Sequence, residues 1–193
     1  MFTPRPPTQA HIQAALESQR GRPLRFASVG CTRTLDVPRG FNLDQRSVVL
    51  GNGKAVLQRG REALLRWAQF DVGFVALCWP GTAVEKDAQV AVVAHTLGLY
   101  SVNVARVVEV EDAMDGATPR FAVTYATTTH HVECGEERFC VELDPATATV
   151  RYHLVAISRP NHALVWLGYP YARHAQARFA RGSLAAMQRA TRS

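Results

Sequence analysis

The sequence predicts an α+β domain in which a curved antiparallel sheet of about six or seven strands grips a long C-terminal helix. Two observations carry this. Between residues 89 and 158 the chain is a succession of short runs rich in Val and aromatic residues, each closed by a turn signal. From His162 to Arg192 the pattern becomes helical, with Leu164, Leu167, Tyr171, Ala175, Phe179, Gly182 and Ala186 on one stripe. A sheet with an apolar face must bury it, and a long amphipathic helix is its natural cover.

The elements follow in order. After the Pro-rich start TPRPPT (3–8), residues 9–20 predict a short helix stopped by Gly21 and Pro23. SVVL (47–50) predicts a strand closed by Gly51-Asn52-Gly53. Residues 54–68 predict a helix, with Val56, Gly60, Leu64 and Trp67 on one face. VGFVALCW (72–79) is apolar on both faces, as a buried strand is, and Pro80-Gly81 should end it. Strands are then expected at 89–97, 100–111, 120–128, 136–143 and 149–158, with DAMDGATP and DPATA as turns. Arg159-Pro160 should break the sheet, and Pro170 should kink or divide the last helix.

At 193 residues the chain suits one domain plus a short piece. We expect an N-terminal extension over 1–38, containing the short helix, and a single domain over 39–193. No apolar run reaches membrane-spanning length, and the N-terminus carries no secretory core, so a cytoplasmic location is expected. The cysteines Cys31, Cys78, Cys134 and Cys140 have no CxxC spacing and read as reduced thiols. The net charge of +6 divides as +4 over residues 1–39, −5 over 40–144 and +7 over 145–193. Basic ends suit either an anionic partner, including peripheral contact with a membrane surface, or docking on the chain's own acidic middle. Nucleic acid is disfavoured, because aromatic side chains do not alternate with the arginines.

The element order resembles the helix-grip arrangement of START-like and birch-pollen-allergen-like proteins, in which the sheet curls around the last helix over an apolar cavity. A closer resemblance rests on RGFNLDQRSVVLG (39–51), REALLRW (61–67), NVARVVEVED (103–112), GEERFCVEL (135–143) and VRYHLVAISRPNHALVWLGYPYARHAQARFARGSLAAM (150–187). These segments resemble domain-of-unknown-function family 1990, also called uncharacterised protein family 0548. The chain departs from that family's pattern at Gln45, where His is common, and at Gly182, where an acid is. The resemblance implies the fold and supplies no chemistry.

The densest group of reactive side chains is TYATTTHHVECGEERFC (124–140). His131-Val132-Glu133 matches half of a zinc-deaminase signature, but Pro-Cys-x-x-Cys does not follow, and HExxH is missing. On a strand over 136–143, Cys140 shares a face with Arg138 and Glu142, away from Glu137, so ligands would diverge. The stretch TTHHVECGE within it therefore reads as a polar hairpin turn, with no metal and no other cofactor expected, and with His131 at a pocket rim. GNGKAV (51–56) is too short for a P-loop, and GxSxG does not occur.

Strand parity says more. Tyr100, Val102, Val104, Arg106, Val108 and Val110 alternate on one face, with Glu109 and Glu111 opposite. Phe121, Val123, Tyr125 and Thr127 share a face, as do Glu137, Phe139, Val141 and Leu143, and Tyr152, Leu154, Ala156 and Ser158. If these faces are concave, Arg106, Tyr125, Glu137 and Tyr152 are polar groups set in an apolar surface. Arg106 would pair with Glu137, since a buried charge needs a partner. A purely structural ion pair or a snorkelling Arg competes with that reading. Trp166, Tyr169 and Tyr171 either gate a cavity mouth or pack the helix on the sheet.

Three functions fit. The first is a binding protein for a small, mainly apolar ligand between sheet and helix, oriented by Arg106, Tyr125, Glu137, Tyr152 and His131. The second is an enzyme on the same scaffold, using Glu137, His131 or Tyr152 as acid–base groups. The third is an interaction protein whose basic ends engage an anionic surface.

Overall fold

The computed structural model describes residues 2–79 and 81–192. Strand β1 (Phe2–Thr3) is followed by helix α1 (Gln9–Gln19), whose first turn is capped by Thr8, and by the single turn α2 (Cys31–Thr34). Next come β2 (Asn42–Asn52), α3 (Lys54–Leu65), a 3₁₀ turn (Ala68–Phe70) and β3 (Val75–Cys78). A meander follows: β4 (Gln89–Thr96), β5 (Leu99–Ala113), β6 (Arg120–Thr127), β7 (Glu133–Leu143) and β8 (Thr149–Pro160). The chain closes with α4 (Ala163–Leu167) and α5 (Tyr169–Thr191). The sheet runs β2-β8-β7-β6-β5-β4-β3, every neighbour antiparallel, with β1 added along β5. This is the expected α+β helix-grip architecture. The Pro80 part of the expected strand stop lies outside the described residues.

The concave face holds the main core. Phe121, Val123, Phe139, Val141, Tyr152 and Leu154 point inward, as their alternation requires, and meet Leu57 and Leu64 of α3 and Met187 of α5. Helix α3 approaches the sheet closely because Gly60 faces it. A methyl group there would stand 3.1 Å from Val141. Proline at the start of α5 costs nothing, since its missing N–H is one the first turn leaves unpaired, and α4 ends separately at Gly168.

The convex face is covered by the N-terminal segment. Ile12 and Ala15 of α1 pack on Ala91, Val102 and Val104. Phe26 and Cys31 pack on Ala126, Cys134 and Ile157. Helix α1 and the segment from Leu24 to Val37 thus bury part of the back of the sheet.

Three expectations need correction. Val102, Val104 and Arg106 face the convex side, under α1, while Ala105 and Val107 face the core. A bulge at Val108 then shifts the register, so that Val110 turns inward and Glu109 and Glu111 lie on the same outer face as Arg106. An apolar alternation marks a buried face without saying which, and here both faces are buried. The polar turn is shorter than expected, because β7 already begins at Glu133. In the C-terminal stripe, Leu164 and Leu167 are not packed on the sheet: Leu167 is 85% exposed.

Several basic residues of the last helix dock on the chain itself. Arg173 pairs with Asp44, Arg189 pairs with Asp71, and Arg178 stacks on Phe74. No helix among the described residues is long and apolar enough to cross a membrane.

Candidate functional site

A cavity of about 470 Å³ lies between the concave sheet and the N-terminal half of α5. It exists because small residues face each other there. Gly135 of β7 and Ala156 of β8 oppose Ala172 and Ala175 of α5, where the other half of the same layer carries Phe139, Tyr152 and Met187. Gly135 is also obligatory, since a Cβ on it would lie 2.1 Å from the carbonyl oxygen of Ile157. Apolar walls come from Phe70, Phe74, Val92, Leu154 and Phe179. The mouth is bordered by Leu97, Leu164 and Leu167, which remain largely exposed.

Polar groups gather at one part of this wall. Tyr125 and Glu137 are direct cross-strand partners on β6 and β7, and the Tyr125 hydroxyl donates to Glu137 Oε2 at 2.5 Å. Glu137 lines the cavity and is half-buried. Burial pushes its pKa up to about 7, against the pull of the Tyr125 hydrogen bond and with help from nearby Glu133 and Asp44. Burial likewise raises Tyr125 well above the ordinary phenol range. Gln176 Nε2 of α5 donates to Glu133 Oε1 at 2.5 Å and to Ser158 Oγ at 3.1 Å. Its Oε1 accepts from Arg173 at 2.6 Å, and Arg173 holds both oxygens of Asp44 on β2, at 2.5 and 2.8 Å. That fork raises the Arg173 pKa. Glu133 is shifted upward by burial, opposed by its bonds to Gln176 and Ser158. His131 lines the cavity beside the turn, with Nδ1 3.0 Å from the Glu133 amide nitrogen. Burial pushes its pKa down to about 4, so at neutral pH the ring is uncharged and the amide donates to it.

The sequence-predicted residues therefore separate. Tyr125, Glu137 and His131 border the cavity. Tyr152 points inward but stops short of it, fully enclosed, with its hydroxyl 2.8 Å from Ser183 Oγ of α5. Arg106 lies on the other side of the sheet, where its guanidinium donates to the carbonyls of Gln19, at 3.3 Å, and Arg22, at 2.6 Å. The expected Arg106–Glu137 pair does not form, because the β5 parity is the reverse of the one assumed. Cys134 packs on the convex face while His131 faces the cavity, so their side chains do not converge.

The sequence does not single out Asp44, Glu133, Arg173 and Gln176: Asp44 lies just before the strand expected at 47–50, and Glu133 lies in the expected polar turn. Extending both strands by the same alternation, as β2 and β7 do, puts Asp44 and Glu133 on the inner face. Arg173 and Gln176 are i and i+3 on α5, one helical turn apart, and only the packing shows that Gln176 lines the cavity and that Arg173 bonds both it and Asp44. Gln45 is exposed on β2, and Gly182 is pressed against Val72, where a Cβ would come within 3.0 Å of that side chain.

A UPF0548 protein of Dictyostelium discoideum is 27% identical over 195 residues, covering 93% of this chain and 90% of its own. A UPF0548 protein of Arabidopsis thaliana is 30% identical over 146 residues, covering 75% of this chain and 70% of its own. Among solved structures, ginseng major latex-like protein 151 from Panax ginseng superposes with a TM-score of 0.46 at 9% identity, over 77% of this chain and 95% of its own. The family model described as "Domain of unknown function (DUF1990)" matches residues 25–186, and the chain belongs to that family.

Proposed function

We propose that the protein binds a small, mainly apolar molecule in the cavity between the sheet and α5. The observation that carries this reading is the contrast within a single layer. One half is filled by large side chains, while the other is kept open by Gly135, Ala156, Ala172 and Ala175 around about 470 Å³. A void of that size forfeits packing contacts, and it matches the range of small-molecule sites, which are mostly apolar with a few placed polar groups. Here those groups are Tyr125–Glu137 and the Glu133–Gln176–Ser158 cluster.

The test is titration with the neutral apolar fluorophore N-phenyl-1-naphthylamine. The wild-type chain should enhance its emission saturably. Replacing Ala156 and Ala175 with Leu should weaken binding roughly tenfold or more, with no loss of melting temperature, because the new side chains occupy the void. A wild-type chain that leaves the fluorophore's emission unchanged would end the proposal.

One observation favours a second reading, an acid–base enzyme on the same scaffold: Glu137 titrates at about 7, where a carboxyl both takes and gives a proton at neutral pH. A molecule that copurifies with the protein and is recovered chemically unchanged after prolonged incubation counts against turnover.

A further inference from the structure

We infer that the molecule held in this cavity carries a basic amine, which the Glu137 carboxylate receives while the apolar walls enclose the rest. This rests on the binding reading above and adds the chemical class of the ligand.

The argument is one of charge and hydrogen-bond supply. Three carboxylates border the cavity: Asp44, Glu133 and Glu137. Arg173 lies beside them, and both oxygens of Asp44 occupy it in a fork, with Gln176 taking a further donor. Arg46 also borders the cavity, but its side chain is exposed and hydrogen-bonds the neighbouring Gln45 carbonyl at 2.8 Å. Among the described residues, neither Glu133 nor Glu137 forms a salt bridge. Glu137 receives one hydrogen bond, from Tyr125 to Oε2, and Oε1 receives none from the described residues. A carboxylate accepts up to about four.

The chain shows elsewhere how it treats a carboxylate that serves only structure. Glu136, one residue away on the opposite face, accepts from the Gly30 and Thr32 amides and the Thr32 hydroxyl. Glu137 is left with acceptor capacity facing a space walled by Phe70, Leu154 and Phe179. In such surroundings a carboxylate attracts an ammonium far more strongly than in water, and a charge-assisted hydrogen bond exceeds a neutral one. The same site repels an anionic head, because Arg173, beside these carboxylates, is already paired with Asp44. Fatty acids, which share the apolar body, are therefore disfavoured by their carboxylate.

The experiment displaces bound N-phenyl-1-naphthylamine with decylamine, decanol and decanoic acid at pH 8, below micelle-forming concentrations. The expected order is amine, alcohol, acid, with roughly tenfold or more between the first and last. Glu137→Gln should collapse the amine-to-alcohol ratio toward one, with the fold verified by its melting curve. Lowering the pH from 8 to 6 should weaken the amine in the wild type. The groups facing Glu137 do not reverse that sign: Tyr125 and His131 stay neutral over this range, the Asp44–Arg173 pair is internally compensated, and Glu133 gains protons in the same direction. Decanoic acid binding as tightly as decylamine, or an amine-to-alcohol ratio unaffected by Glu137→Gln, would overturn the inference while leaving the cavity a binding site. Failure of the fluorophore itself to bind would remove both.

Discussion

Glu136 and Glu137 are consecutive on β7 and point to opposite faces, and the contrast separates a carboxylate that fastens two layers from one that faces a cavity. Glu136 is 2% exposed, and its oxygens pin the turn at residues 30–32 to the back of the sheet. Beside it, Arg138 bonds Glu109, Glu111 and Thr124 on the same face. On that face Glu136 is fully hydrogen-bonded and Arg138 is paired with two carboxylates, as stability demands. Glu137 has one partner and a cavity in front of it. GEERF thus compresses two roles into one strand: Gly135 opens space, Glu136 and Arg138 fasten the outer layer, Glu137 faces the cavity and Phe139 fills the core.

The contrast can be broken or sharpened by substitution, starting with the largest effect. Glu136→Ala should cost about 3–5 kcal/mol in urea denaturation, because two backbone amides and a hydroxyl lose a charged acceptor in a buried setting. A loss below about 1 kcal/mol would show that other contacts hold the outer segment. Glu137→Gln should act in the opposite direction. Its folded pKa, about 7, lies above the ordinary 4.5, so the folded state holds the proton more tightly. The associated stability is present below pH ~4.5 and is lost as pH rises through about 7. At pH 8 the Gln variant should therefore exceed the wild type by roughly 2 kcal/mol, the difference vanishing toward pH 4. A variant less stable than the wild type at pH 8 would mean that the carboxylate contributes to the fold after all.

The smallest effect concerns Arg106. Its guanidinium caps the C-terminal end of α1 through the Gln19 carbonyl, so Arg106→Met should cost about 1 kcal/mol. Combined with Glu137→Gln, the two changes should add within about 0.5 kcal/mol, since the side chains lie on opposite faces of the sheet. A coupling of 2 kcal/mol or so would restore the pairing that the structure rules out.

Much of this was legible in the chain. Alternation placed Phe121, Val123, Tyr125, Glu137, Phe139, Tyr152 and Leu154 on one face, because a strand's period of two leaves no other arrangement. Long Val-rich runs and the amphipathic C-terminal segment specified an antiparallel sheet beneath a helix, since neither element can stay unburied. Where the chain is apolar on both sides, as at 102–108, the alternation carries no sign. Only the docking of α1 decided that Arg106 faces outward, and only the Val108 bulge put Glu109 and Glu111 beside it. The cavity too belongs to the tertiary structure. Alanines at 156, 172 and 175 are unremarkable in a sequence, and become a void only when β8 and α5 bring them face to face across Gly135. Periodicity is local and survives in the sequence; which face is covered, and by what, depends on contacts between residues far apart in the chain.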